Sequence, residues 1–383
     1  MRTKKVGRKK SMKINIVLNN SNIREYARLY MTNKEVLPKN LQVINDWDVT
    51  QVTDMERLFE DFKNFNEPLN WVVSQVTNMS RMFYGCENFN QPLKWDVSQV
   101  TDMSYMFSGC KNFNQPLPWT VSQVTHMSFM FYGCENFNQP LNWTVDQVTH
   151  MNGLFYGCEN FNQPLPWTVS QVTDMSYMFC CCKKFNQPLP WTVSQVIHMS
   201  LMFFGCEDFN QTLKWNVSQV TDMSYLFSGC RNFNQPLKWD VSQVTNMSYM
   251  FADCEKFNQP LNWVVSRVTD MRRMFHGCKN FNHSLKWDVS QVTNMSYMFA
   301  CCEKFNQPLN WNVSKVTNMS YMFTGCENFN QPLNKWDVSQ VTDMSWMFSD
   351  AHKFNQDIRH WSRNAKKNKM FRQCPISPQY MPN

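Results

Sequence analysis

A repeat of 24 residues dominates this chain of 383 residues. A tryptophan opens each of twelve consecutive units, and Trp336 opens a thirteenth unit after one extra residue. Repetition at a fixed period of about 20 to 50 residues is typical of proteins whose units stack on their neighbours. The sequence therefore predicts an LRR-like repeat solenoid of thirteen coils over residues 47–360. The first twelve tryptophans are Trp47, Trp71, Trp95, Trp119, Trp143, Trp167, Trp191, Trp215, Trp239, Trp263, Trp287 and Trp311.

The apolar spacing within one unit, residues 95–118, predicts its local structure. Leu117 to Val121 alternates apolar and other residues and is predicted to be a short parallel β-strand. A spacing of i, i+3, i+4, i+7 predicts a short helical segment, with Gly109 in a left-handed conformation at its end. The residues with that spacing are Met103, Met106, Phe107 and Cys110.

Stacking places identical side chains in columns along the solenoid axis. A unit of this size buries too little apolar surface to order its own backbone, so stacking is obligatory. If each coil adds about 4.8 Å, thirteen coils form a rod about 60 Å long. An asparagine column can bond the backbone of the next coil, and a row of carbohydrate or ion ligands is its alternative. Its representatives are Asn114, Asn138 and Asn162.

Eleven of the fifteen cysteines form another column on the buried side of the predicted helical segment. We expect reduced thiols that behave as small apolar side chains. Disulfides between neighbouring coils are the alternative, but an odd column of identical residues is a poor disulfide framework. The cluster at residues 180–182 lacks the spaced cysteine pairs of zinc sites, so no metal site is predicted. Representatives of the column are Cys110, Cys134 and Cys158.

The repeated motif V-T-D/N-M-S-Y-M-F-x-G-C-x-x-F-N-Q-P-L-x-W-D-V-S resembles the BspA-type leucine-rich-repeat family, specifically its DUF285 branch. That branch is known from bacterial surface proteins and from amoeba-infecting large DNA viruses. The resemblance covers residues 47–360 and implies a right-handed solenoid with parallel strands and a binding or adhesion role. Family units commonly place two residues between the leucine and the tryptophan, whereas most junctions here have one.

No apolar run approaches the roughly 18 residues of a membrane span. The apolar stretch near the start, residues 14–18, is too short for the core of a signal peptide. We therefore expect an intracellular protein, in the host cytoplasm or nucleus, or a virion component. A cell-surface location is less favoured.

Positive charge is concentrated at the two ends of the chain. The formal net charge of +7 equals the number of basic residues among the first thirteen positions. Residues 1–20 are predicted to be a disordered basic arm, with a targeting signal, a nucleic-acid contact or a membrane-surface contact as alternatives. The basic residues are Arg2, Lys4, Lys5, Arg8, Lys9, Lys10 and Lys13.

Both ends of a solenoid need covering, because the terminal coils otherwise expose their apolar faces. Residues 21–46 are predicted to form an N-terminal helical cap, since Ile23, Ala27 and Tyr30 recur at helical spacing. Residues 361–383 are predicted to form a C-terminal cap and a basic tail.

Differences between the copies are the candidate functional positions. One position of the predicted helical segment is aromatic in eight units, and an aromatic stripe of this kind can be an interaction surface. The alternative is that the rings only stack on each other between coils. The stripe consists of Tyr105, Phe129, Tyr177, Tyr225, Tyr249, Tyr297, Tyr321 and Trp346. Tyr84, Tyr132, Tyr156 and Phe204 add rings three residues later in their units. His126, His150 and His198 share another position and are interpreted as exposed polar substitutions.

No catalytic constellation or cofactor motif is present in the sequence, so we predict neither enzymatic activity nor a cofactor. The predicted function is a protein-interaction solenoid that presents a repetitive surface to a protein partner. A structural or virion-associated rod is the first alternative, with basic ends that contact nucleic acid or other subunits. A surface adhesin is the second.

Overall fold

Stacked coils make up most of the chain in the computed structural model, which describes residues 16–361 and 364–382. The indole rings of Trp71, Trp95 and Trp119 stack with centroids 6.5 Å apart and nearly parallel planes. Parallel β-bridges join equivalent residues of neighbouring units, such as Asp102 and His126, along the whole array. The predicted repeat solenoid with a 24-residue period is therefore confirmed.

Regular secondary structure is sparse within the described residues. The α-helix α1 spans Ile23–Asn33, and sheet pairing consists of isolated bridges without a longer strand. The predictions of a strand at residues 117–121 and of a helical segment at residues 103–110 are therefore wrong. Four short 3₁₀ helices complete the elements: Lys34–Val36, Lys39–Leu41, Ile44–Asp46 and Pro378–Tyr380.

Overlapping turns replace the predicted helical segment. The amides of Met106, Ser108 and Cys110 each donate to the carbonyl three residues earlier. Such turns place apolar side chains on one side of the chain much as a helix does, so the four apolar residues of the pattern are all buried. The spacing thus identified the buried residues without identifying the backbone conformation.

The other amides of this segment bond the next coil. Those of Met103, Tyr105 and Phe107 donate to the carbonyls 23 residues further on, over 2.8 to 3.0 Å, and the Gly109 amide does the same. In an α-helix every interior amide bonds within its own segment, so none would remain for a neighbouring coil. The contact between coils therefore selects turns over a helix.

A left-handed backbone at two positions per coil makes this pattern possible. Tyr105 and Gly109 have φ of +58° and +78°, and the equivalent residues of other coils are also left-handed. Gly109 is left-handed as predicted, although it ends a chain of turns instead of a helix. The first position is costly for an L side chain, by about 1 to 2 kcal/mol.

The core contains one tryptophan column and two phenylalanine columns. Within a coil the rings of Phe107 and Phe113 stack at 4.2 Å, and Phe107 stacks on Phe131 of the next coil at 5.7 Å. Each buried indole also needs a hydrogen-bond acceptor. Trp119 Nε1 finds one in the carbonyl oxygen of Leu93, at 3.0 Å.

The asparagine column bonds coils where backbone pairing does not. The side-chain oxygen of Asn114 accepts the backbone amide of Asn138 at 2.9 Å and Nε2 of Gln139 at 3.1 Å. Asn138 repeats both contacts with the following coil. Each side-chain oxygen therefore satisfies a backbone donor and orients a glutamine.

The two ends of the solenoid are closed by the chain itself. Helix α1 buries Ile23 and Ala27, and Tyr30 packs edge-on against Trp47 at 5.8 Å. At the other end Trp361 and residues 364–382 continue the columns as an irregular fourteenth coil. Trp361 stacks on Trp336 at 6.2 Å and is only 2% exposed.

Replacing Asn162 by alanine should destabilise the fold by about 1 to 3 kcal/mol, because it leaves a partly buried amide without an acceptor. The affected donors are the Asn186 amide at 2.9 Å and Gln187 Nε2 at 3.1 Å. Urea unfolding followed by tryptophan fluorescence measures the loss. Asn162→Asp keeps the acceptor oxygen and should be milder, so equal losses in the two variants would contradict this role.

Candidate functional site

The cysteines of the column lie in the buried core, an environment that suits a structural role. Cys110, Cys134 and Cys158 are fully buried, and Cys134 Sγ donates to the Phe107 carbonyl at 3.0 Å. All fifteen cysteines are free thiols in the structure. Burial raises the pKa of the Cys110 and Cys158 thiols well above the ordinary value. A thiol that stays protonated is a poor nucleophile and a poor metal ligand.

Alkaline pH should unfold the protein because of this column. An unfolded thiol releases its proton near pH 9.0, whereas the buried thiol retains it. The unfolded state then binds fewer protons, so stability present below pH 9 is lost as pH rises, by about 1.4 kcal/mol per thiol and pH unit. Thermal melts between about pH 7 and pH 10 measure this slope.

The control is a triple variant with alanine at Cys110, Cys134 and Cys158, since Ala351 occupies this column in the thirteenth coil. It should be less stable at neutral pH and should lose less stability on alkalinisation. Parallel pH profiles for the two proteins would show that the thiols do not cause the loss.

The aromatic stripe lies on the surface of the turn segment, and a second surface position three residues later adds to it. Every unit from the second to the thirteenth has a ring at one or both positions. Where the first position lacks a ring, as at Gly153 and Leu201, the second provides one, here Tyr156 and Phe204. We call these two columns together the aromatic track. Its rings are those of the stripe and of Tyr84, Tyr132, Tyr156, Phe204 and His276.

Rings of the aromatic track stack face to face between coils. Tyr225 and Tyr249 lie 4.2 Å apart with an interplanar angle of 12°, and Tyr297 and Tyr321 lie 4.4 Å apart. Stacking between coils, which is the alternative to an interaction surface, is therefore present. This stacking leaves the ring edges accessible to a binding partner, because most of these side chains are only half-buried.

Cations join the stacked pairs into a longer array. The Arg273 guanidinium lies 4.2 Å from the Tyr297 centroid and 5.4 Å from that of Tyr249. Lys369 lies 4.8 Å from the Trp346 ring. A cation over a ring face contributes about 0.5 to 1 kcal/mol at exposed sites. The array is thus continuous from Tyr225 to Lys369.

The array is interrupted in its middle. A Cβ atom on Gly153 would lie 2.1 Å from the Phe129 ring, so that ring covers the glycine backbone. Tyr177, between Gly153 and Leu201 in its column, is the most exposed residue of the stripe at 36%. Its nearest ring is that of Tyr156, tilted and 6.3 Å away. Tyr177 therefore has a ring face that no neighbouring ring covers within the described part of the chain.

The remaining candidate residues that the structure describes do not come together as a metal-binding group. The rings of His126 and His150 stack at 4.4 Å, and each Nδ1 lies 2.8 Å from the hydroxyl of the preceding threonine. Among residues 16–361 and 364–382, no three His, Cys, Asp or Glu side chains form a potential metal site. The basic residues from Arg2 to Lys13 lie outside the described residues.

No helix in the described part of the chain is long and apolar enough to cross a bilayer. The sequence analysis named rings in both columns of the aromatic track without noting that the two columns complement each other. Aligning the second to thirteenth units would have shown this complementarity, because in them a ring is present at one position wherever it is missing at the other.

Stacked coils with in-register columns define an LRR-like repeat solenoid. The chain belongs to the family described as Mycoplasma protein of unknown function, DUF285, which confirms the resemblance drawn from the motif. The family matches residues 25–141, 117–214, 189–286, 212–309 and 283–380.

Two solved structures are similar to this chain. One is a leucine rich cell surface protein from Faecalibacterium prausnitzii A2-165, with 16% identity and a TM-score of 0.40 over 80% of this chain and 82% of that chain. The other is the TLR13–ssRNA13 complex, with 12% identity and a TM-score of 0.26 over 93% of this chain and 51% of that chain. Among curated proteins nothing matches.

Proposed function

We propose that this protein is a non-enzymatic interaction solenoid whose aromatic track binds a protein partner. The observation that carries the proposal is the presence of a ring in twelve consecutive units. At the first position of the track the backbone is left-handed, as for Tyr225 and Tyr249 with φ of +58° and +59°. Glycine fits there without strain and does so at Gly153, yet eight units have a ring. A strained position that retains bulky rings supports a role beyond packing.

The way the rings are presented favours a protein over other ligands. Their faces are largely covered by neighbouring rings and by Arg273, so nucleobases and sugars, which stack on open ring faces, find few platforms. Ring edges and tyrosine hydroxyls remain at the surface. Rigid aromatic side chains give contact area at low entropy cost, and repetition multiplies weak contacts along the rod.

The rod alternative is supported by cations at the last coil. Lys366 and Lys369 lie there, and Arg372 pairs with Asp350 at 3.9 Å. Together with the basic arm they would contact nucleic acid or other subunits. The surface adhesin is a further alternative. A right-handed winding and an intracellular or virion location also stay predictions.

Removing two stacked rings should strongly weaken partner binding without unfolding the protein. We propose Tyr225→Gly combined with Tyr249→Gly, because glycine relieves the left-handed strain of about 1 to 2 kcal/mol while the loss of stacking costs about 0.5 to 1.5 kcal/mol. The melting temperature should therefore change little. Loss of two aromatic anchors should weaken binding by at least about 30-fold.

The measurement is quantitative affinity purification from the native cell, comparing the double variant with the unchanged chain. The control is Val264→Thr, which alters a side chain that is 62% exposed outside the track. Partners should disappear with the double variant and remain with the control. If they remain with both variants and disappear on deletion of residues 1–13, the rod alternative holds instead.

A further inference from the structure

The sixth coil departs from the repeat at the interruption of the aromatic track. It has cysteine at three consecutive positions, Cys180, Cys181 and Cys182. Cys182 is the column cysteine, and its Sγ donates to the Phe155 carbonyl at 3.0 Å. The two other thiols have no counterpart as a pair in any other coil of the described chain.

These two thiols face each other. Cys180 Sγ and Cys181 Sγ are 3.8 Å apart; Cys180 is 1% exposed and Cys181 is half-buried. Cys181 is left-handed, with φ of +61°, at a position where most coils have glycine. One thiol is thus fixed by packing while the other is accessible from solvent.

We propose that Cys180 and Cys181 form a two-thiol site for a soft, thiophilic ion, with trivalent arsenic as the best-fitting class. Two sulfurs bonded to one pyramidal arsenic at about 2.3 Å, with an angle of about 95 to 100°, lie about 3.4 to 3.5 Å apart, so a shift of a few tenths of an ångström closes the 3.8 Å separation here. Thiolates select soft ions. No third ligand group is present among the described residues. The site therefore suits an ion whose remaining bond is made to a substituent that it already carries.

The electrostatic surroundings support ion binding at this pair. The hydrogen bond from Cys180 lowers the pKa of the Cys181 thiol, and the nearby Lys183 ammonium acts in the same direction. The same bond raises the pKa of Cys180, so Cys181 attacks first and Cys180 gives up its proton as the second bond to the ion forms. A thiolate is the nucleophile toward such ions. Tyr156 lies next to Cys180, and the interaction with that thiol is the chief cause that raises the pKa of its hydroxyl to about 12.

The probe is phenylarsine oxide. Both thiols lose their protons, the arsenic–oxygen bond breaks, two arsenic–sulfur bonds form, and the oxygen leaves with the two protons as water. No atom changes oxidation state, so the reaction needs no further reagent. A single thiol forms an adduct that excess monothiol removes, whereas the chelate between two thiols should resist removal by at least about 100-fold.

Cys301 provides a matched control within the same chain. It occupies the position of Cys181 in the eleventh coil, with φ of +60°, and is exposed. Its preceding residue is Ala300, so it lacks the second thiol. Cys301 should therefore react with monofunctional reagents and should not retain the arsenical.

The experiment is intact-mass spectrometry of the full chain after phenylarsine oxide and a wash with excess β-mercaptoethanol. We expect one retained arsenical in the unchanged chain and in Cys301→Ser, and none in Cys180→Ser or Cys181→Gly. These two replacements occur naturally at the same positions of other coils, as Ser108 and Gly109, so the variants should fold. Ala300→Cys should create a second site and retain two arsenicals.

The proposal is overturned if the unchanged chain retains no arsenical while N-ethylmaleimide still labels Cys181. It is equally overturned if the Cys180→Ser and Cys181→Gly variants retain as much arsenical as the unchanged chain, because another thiol pair would then be responsible. Circular dichroism of each variant confirms that the coils are intact. None of these outcomes depends on the protein partner proposed above.

Discussion

One-way backbone hydrogen bonding between coils in the turn segment is the constraint on which the rest of the structure depends. In the turn segment, alternate amides such as those of Tyr105 and Gly109 donate toward the following coil, and the carbonyls of Met106 and Ser108 accept the equivalent amides of the preceding one. A coil taken out of the stack would lose acceptors and donors together, each loss costing about 1 to 3 kcal/mol when buried. Because all these peptide dipoles align, they add along the axis as in a helix. The carbonyl end lies at the first coil, where Arg24 Nε donates to the Glu56 carbonyl at 3.0 Å.

The exact register between coils also limits which side chains can occupy the surface. Identical side chains meet at each interface, and equal charges placed directly opposite each other repel. The chain accordingly has 17% charged residues, against about 25% in typical domains. In the most charged column the sign alternates between most neighbouring coils: Glu87 pairs with Lys63 at 3.1 Å and with Lys111 at 3.0 Å. Neutral serine, threonine, asparagine and glutamine occupy most other surface columns, since they tolerate their own kind as neighbours.

The period, the buried residues and the asparagine contacts could be predicted from sequence because they depend on side-chain chemistry repeated in every unit. The conformation of the turn segment could not. Its apolar spacing is shared by a helix and by a chain of overlapping turns, and what separates them is the destination of alternate amides in a neighbouring coil. A signal was nevertheless present at the tyrosine position, where Gly153 replaces a ring. Glycine among aromatic copies indicates a left-handed backbone, which a helix interior excludes.

The same hydrogen bonds allow surface side chains to vary without changing the fold. Tyr177, Leu201 and Gly153 differ greatly in size, yet all three are left-handed and donate their amides to the next coil over 2.9 to 3.0 Å. The backbone bonds therefore fix the conformation, and the side chain at this position is free to vary. Cys181 shows the same freedom at the second left-handed position, where its amide bonds the Phe204 carbonyl at 2.6 Å as glycine amides do elsewhere. Chemistry that is specific to this protein can accumulate at these two positions, because the backbone hydrogen bonds that hold the coils together do not involve their side chains.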